Sequence, residues 1–180
     1  MKFKSFFLIP LSLIILLGSA GFAQMGELRT YMSDDWDSWE YQIGDERGEI
    51  KTYFSKGWNH WEYSSKEGKG KIETYMSEDW DHWEVDEGKL SIRTYTSEDW
   101  DFWEIKGDGV YIKMRTFMSE DWDYWQVSGD ASANIRTYMS EDWDHWQING
   151  DLSRLDHHVR MAVLFIPIFT SSVYVQGLME

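Results

Sequence analysis

Six short segments set two tryptophans and a knot of carboxylates at one fixed spacing. They are SDDWDSW at 33–39, SKGWNHW at 55–61, SEDWDHW at 77–83, SEDWDFW at 97–103, SEDWDYW at 119–125 and SEDWDHW at 140–146. All twelve tryptophans of the chain lie in these copies. Two chemistries suit such a pattern. Carboxylates grouped like Asp79 and Asp81, Asp99 and Asp101, or Asp121 and Asp123 are hard oxygen donors of the kind calcium takes. Indole faces at regular steps can stack on sugar rings, and repetition adds avidity to weak sites.

The calcium reading is the weaker. Neighbouring side chains alternate between faces of an extended chain, and the Asp-x-Asp-x-Asp-Gly loop is absent. The second copy, with Lys56, Gly57 and Asn59, lacks the charge to bind. Turn formation and surface charge account for these acids more simply. The glycan reading rests on the first Trp of each pair: Trp36, Trp58, Trp80, Trp100, Trp122 and Trp143. Arg29, Glu40, Arg93 and Glu104 flank that row and can hydrogen-bond hydroxyls. His60, His82 and His145 occupy a position that Phe102 and Tyr124 fill in other copies, which indicates ring packing. The adjacent His157 and His158 have no partner spacing for a zinc site. There is no nucleophile elbow and no phosphate loop, and the polar groups of the copies recur. The expectation is a non-enzymatic protein without a cofactor.

The elements that position these residues follow from the period. The first tryptophans recur at steps of 22, 22, 20, 22 and 21 residues, the signature of a repeat architecture. LRTYMS, IKTYFS, IETYMS, IRTYTS, MRTFMS and IRTYMS precede the acidic segments, and their Thr, aromatic and β-branched residues favour strands. Each copy therefore reads as a β-hairpin. With Asp34 and Asp35 at the tip, Leu28 faces Tyr41, Thr30 faces Trp39, and Arg29 faces Glu40. The same register pairs Ile50 with Tyr63, Ile72 with Val85, Ile92 with Ile105, Met114 with Val127 and Ile135 with Ile148. On the other face it pairs Lys51 with Glu62 and Arg93 with Glu104. A shift of one residue would set aliphatic side chains against the Arg row. Lys56-Gly57 in the second copy suits a two-residue tip, and a four-residue loop has the same parity.

In this register the second Trp of each pair joins the aliphatic face and is core. The first falls near the tip on the Arg/Tyr/Glu face, which also carries Tyr53–His60, Tyr75–His82, Tyr95–Phe102, Phe117–Tyr124 and Tyr138–His145. With aromatic residues on both faces, the hairpins are expected to stack or wrap on one another. The fold class is thus all-β: six tandem hairpins over 24–150, as an open superhelix, closed toroid or barrel. Residues 151–180 are expected to cap the array. The apolar run 161–175, interrupted by Pro167, Thr170, Ser171 and Ser172, reads first as a strand pair; contact with a membrane or partner, and a docked helix, are alternatives.

Residues 1–23 have the anatomy of a secretory signal: Lys2 and Lys4, an apolar stretch from Phe6 to Leu17, then small residues. Cleavage would start the chain near Gln24 and place it in the periplasm or outside the cell. The chain has no Cys, so disulfides and thiolate metal sites are excluded. The net charge of −15, or −17 once the two lysines are removed, disfavours nucleic acid and anionic membranes. A glycan, an envelope protein or a cation remains open as partner.

Overall fold

The computed structural model describes residues 25–178; the expected signal segment lies outside them. Twelve strands form six hairpins: β1 (Met25–Thr30) with β2 (Ser38–Ile43), β3 (Glu46–Thr52) with β4 (His60–Ser65), and β5 (Lys69–Thr74) with β6 (His82–Val85). There follow β7 (Leu90–Thr94) with β8 (Phe102–Gly107), β9 (Val110–Thr116) with β10 (Tyr124–Gly129), and β11 (Ala133–Thr137) with β12 (His145–Gly150). Each strand pairs antiparallel with its neighbours in sequence, and β1 pairs with β12, so the sheet closes into a barrel. The expected register holds: Leu28 faces Tyr41, Ile50 faces Tyr63, Ile92 faces Ile105 and Ile135 faces Ile148.

Alternation explains the two surfaces. Exposed or half-buried residues alternate with buried ones along β1 and β2. The second tryptophans Trp39, Trp61, Trp83, Trp103, Trp125 and Trp146 point inward with no solvent exposure. Each lies between a Thr of its own hairpin and an aliphatic residue of the next: Trp103 faces Thr94 and Met114. At closure Trp146 faces Thr137 and Leu28. The seam is thus built like the other repeat junctions.

Two expectations about packing are corrected. The hairpins do not cover one another's outer faces; they lie side by side in one sheet, and the outer face meets solvent. Tyr53, Tyr75, Tyr95, Phe117 and Tyr138 stand 51–63% exposed. They stack on the expected cross-strand partners; Tyr53–His60 and Tyr138–His145, for example, have ring centroids 4.8 and 4.9 Å apart. Arg29, Glu40, Lys51, Glu62, Arg93 and Glu104 share this outer face, which therefore lacks the apolar band of a lipid-facing barrel.

The C-terminal strand pair is also corrected. Residues His157–Val175 form one α-helix, α1, and every residue from Val159 to Val173 is buried. A barrel of about eight strands has a bore that side chains alone can fill. Twelve strands leave a wider one, and a helix about 10–12 Å across with its side chains occupies it. A helix enclosed on all sides must be apolar all round, so its sequence loses the stripe that marks an amphipathic helix. The residues that argued against a helix are accommodated within it. Thr170 Oγ1 donates to the Ile166 carbonyl at 2.8 Å and Ser171 Oγ to the Pro167 carbonyl at 2.6 Å, the back-bonding open to hydroxyl side chains in helices. By length and composition α1 is apolar enough to cross a membrane, but 83% of its most apolar window is buried in the barrel.

Candidate functional site: the tryptophan-lined end of the barrel

The longer hairpin loops all lie at one end of the barrel, and each contains two consecutive turns. In the first copy the Asp35 N–H donates to the Met32 carbonyl at 2.9 Å and the Ser38 N–H to the Asp35 carbonyl at 3.2 Å. The loop is therefore longer than either the two-residue or the four-residue tip expected, although the strand register is the same. The left-handed residue is Asp34, Lys56, Glu78, Glu98, Glu120 or Glu141, with φ between 58° and 65°. In the second copy it is Lys56, not Gly57, that takes this conformation.

The Trp-x-x-Trp spacing has a direct cause. The second indole, buried in the bore, donates its Nε1–H to the carbonyl of the first Trp. This bond recurs in all six copies, at 2.8 Å for Trp83–Trp80, Trp103–Trp100 and Trp146–Trp143 and up to 3.2 Å for Trp39–Trp36. The bond satisfies a donor that would be costly to bury alone. The two turns of the loop carry the first Trp over the mouth of the bore, off the outer face where it was expected. Trp36 is buried; Trp58, Trp80, Trp100, Trp122 and Trp143 are half-buried against the core.

The acid between the tryptophans is a strut. Asp101 Oδ atoms accept from Thr116 Oγ1 at 3.1 Å, Ser119 Oγ at 2.8 Å, the Glu120 N–H at 2.9 and 3.0 Å and Trp122 Nε1 at 2.8 Å. Asp37, Asp81 and Asp123 reach the next tip in the same way, and Asp144 closes the circle onto Ser33. Of the six calcium candidates, Asp81, Asp101 and Asp123 thus spend lone pairs on the neighbouring repeat. Asp99 Oδ1 accepts from the Asp101 N–H at 3.3 Å. Asp121 is pushed up to about 6 by the neighbouring Asp123 carboxylate, which favours its protonated form, and by partial desolvation. Burial works to raise Asp123, but hydrogen bonding from the Asp121 carboxyl and the Glu141 N–H outweighs it and holds Asp123 low. Asp142 is raised likewise by its hydrogen bond to Asp144. Asp79 lies half-buried at its tip.

The helix breaks the symmetry of this end. Phe169 packs between Trp80 and Trp100, with centroids 5.6 and 5.5 Å away, and Tyr174 between Trp122 and Trp143, at 5.0 and 5.1 Å. Two open cavities alternate with these plugs. One of about 620 Å³ lies between the second and third tips, lined by Trp58, Trp80, Phe54, Lys56 and Asn59. The other, about 810 Å³, lies between the fourth and fifth tips, lined by Trp100, Trp122, Tyr174, Glu98, Asp99 and Glu120. Consecutive first-row tryptophans therefore do come together, in pairs. Arg29, Glu40, Arg93 and Glu104 instead stand on the strands of the outer face, away from both cavities.

The opposite end holds a constellation that sequence reasoning missed. Glu46, Glu67 and His157 gather their ligand atoms within 4.8 Å, and Arg160 stands between the two carboxylates, 2.5 Å from Glu46 and 2.8 Å from Glu67. Tyr41 donates to Glu46 at 2.6 Å and Tyr63 to Asp86 at 2.6 Å; burial, then these acids, push both phenols up. His158 Nε2 lies 2.8 Å from Asp108. These contacts tie the start of α1 to three of the short loops. The guanidinium already supplies the cation that the carboxylates require, so the cluster is an anchor for the helix. The available signal was Glu46, a non-repeated acid at an inward strand position.

No family model, curated protein or solved structure matches the chain.

Proposed function

We propose that this is an exported, non-enzymatic binding scaffold of the cell envelope or extracellular space, whose tryptophan-lined end takes a glycan. The reading is carried by the pairing of half-buried first-row tryptophans in open cavities of about 620 and 810 Å³. A cleft with aromatic walls and a few polar groups is the usual form of a small-ligand site. Packing against the core limits the motion of the first-row indoles, and the bond from the second Trp holds the main chain that carries each of them, so stacking requires little reordering. The polar groups at this end recur from tip to tip, which suits repeated binding better than a single reaction centre.

Tryptophan fluorescence tests this. Acrylamide should reach the half-buried first-row indoles and leave the fully buried second row dark to quencher. A soluble polysaccharide should then protect the accessible fraction, and Trp100→Ala with Trp122→Ala should weaken binding and leave only the protection at Trp58 and Trp80. If a panel of neutral, acidic and amino polysaccharides protects none of the accessible indoles, the glycan reading fails.

A further inference from the structure

The two cavities share a tryptophan pair and differ in charge. Between the fourth and fifth tips, Glu98 and Glu120 are exposed at the rim and make no hydrogen bond or ion pair through their carboxylates among the described residues. Asp99 adds a third acid, and no Lys or Arg lines the cavity. Trp100, Trp122 and Tyr174 supply three aromatic rings. Between the second and third tips, Lys56 holds the turn position equivalent to Glu98, Asn59 replaces the strut acid, and Glu78 is the one carboxylate at the rim, offset by the lysine. Asn59 Oδ1 accepts from Trp80 Nε1 at 2.6 Å, so the strut survives without the charge.

We infer that the cavity between the fourth and fifth tips selects a glycan bearing free, protonated amino groups. This rests on the glycan reading and specifies its ligand class. Ring faces of the sugar stack on the indoles. An ammonium group is attracted both by the negative face of an aromatic ring and by carboxylates that have no cation of their own. Asp101 is not among the recognising groups, because its oxygens are taken by the fifth repeat. The recognising acids are Glu98 and Glu120, with Asp99 behind them. The cavity between the second and third tips has the stacking surface with Lys56 balancing Glu78 at its rim and serves as an internal control.

The test is calorimetric titration of the protein at about pH 6, where sugar amines are largely protonated, with a β-linked glucosamine hexamer, its fully N-acetylated counterpart and a lysine hexamer. The glucosamine oligomer should bind roughly fivefold or more tightly than the acetylated one, as expected for cation–aromatic and carboxylate contacts near a surface. Glu98→Gln with Glu120→Gln should erase that preference while leaving the thermal melt unchanged, since both side chains are exposed. Lys56→Glu should strengthen glucosamine binding by opening the second cavity to the same ligand. Equal or tighter binding of the acetylated oligomer overturns the inference and leaves the glycan reading standing. Equal binding of the lysine hexamer also overturns it, because the acidic surface alone would then be the attractant. Binding of neither sugar overturns both.

Discussion

Trp103 Nε1 donates to the carbonyl oxygen of Trp100 at 2.8 Å, joining the buried row of indoles to the half-buried row at the barrel mouth. Trp103→Ala removes a side chain with no solvent exposure and leaves a cavity beside α1. It should cost about 3–5 kcal/mol, read in urea melts. Trp103→Phe keeps the ring volume in large part and deletes the donor, and should cost less than the alanine variant. No loss from Trp103→Phe would mean that the indole N–H contributes nothing, and a loss equal to that of Trp103→Ala would mean that the ring volume contributes nothing.

Glu141 sits at a tip with φ of 63°, a conformation that disfavours side chains branched at Cβ. Glu141→Val should destabilise by about 1 kcal/mol or more, whereas Glu141→Gly should be neutral or stabilise by up to about 1 kcal/mol. Chemical denaturation of the pair against the parent protein checks the sign.

Arg160 is 3% exposed, between Glu46 and Glu67. Arg160→Met leaves the Glu46 carboxylate buried without its cation and should cost about 3–5 kcal/mol. Adding Glu46→Gln should recover part of that loss, because a neutral amide tolerates burial better. A double-mutant cycle showing simple additivity would refute the pairing as the source of the effect.

The proximity of Asp121 and Asp123 predicts a pH-dependent stability at this end of the barrel. Asp121 has a folded-state value raised to about 6, so the folded protein binds this proton more tightly than the unfolded chain does. Its stabilising effect is fully present below the ordinary aspartate range and is lost as pH rises through about 6. Asp121→Asn mimics the protonated side chain at every pH. The melting temperature of the parent relative to the variant should therefore fall between about pH 4 and 6 and level off above that, and a constant difference across that range would contradict the raised value.

Much of the barrel is readable from the repeat because each copy carries its own instructions. The alternation of Leu28, Thr30, Trp39 and Tyr41 fixes the inner face, and opposite charges such as Arg93 and Glu104 fix the register. Closure is not written in any single copy; it depends on accumulated sheet twist and on the junction of Trp146 with Leu28. The fate of residues 157–175 was hidden for a related reason. A helix surrounded by sheet has no polar face, so Pro167 and the Thr170–Ser172 run stood out while the helical period did not. The first tryptophans were displaced from their expected face because their loops make two turns, and local strand alternation stops at the first of them.

The enclosed helix also sets an order on folding. It follows all twelve strands in the chain, and a closed, hydrogen-bonded cylinder offers no side entrance for an apolar rod about 28 Å long. The last seam, β1 to β12, therefore forms around a helix already in place, and the hairpins wait as an unsealed sheet until it arrives. Hairpin formation is local and fast, while sealing joins strands more than a hundred residues apart and belongs to the slow regime of non-local contacts. A chain cut before residue 157 would retain its repeats and lose the mandrel on which they close, leaving two raw sheet edges exposed to other molecules.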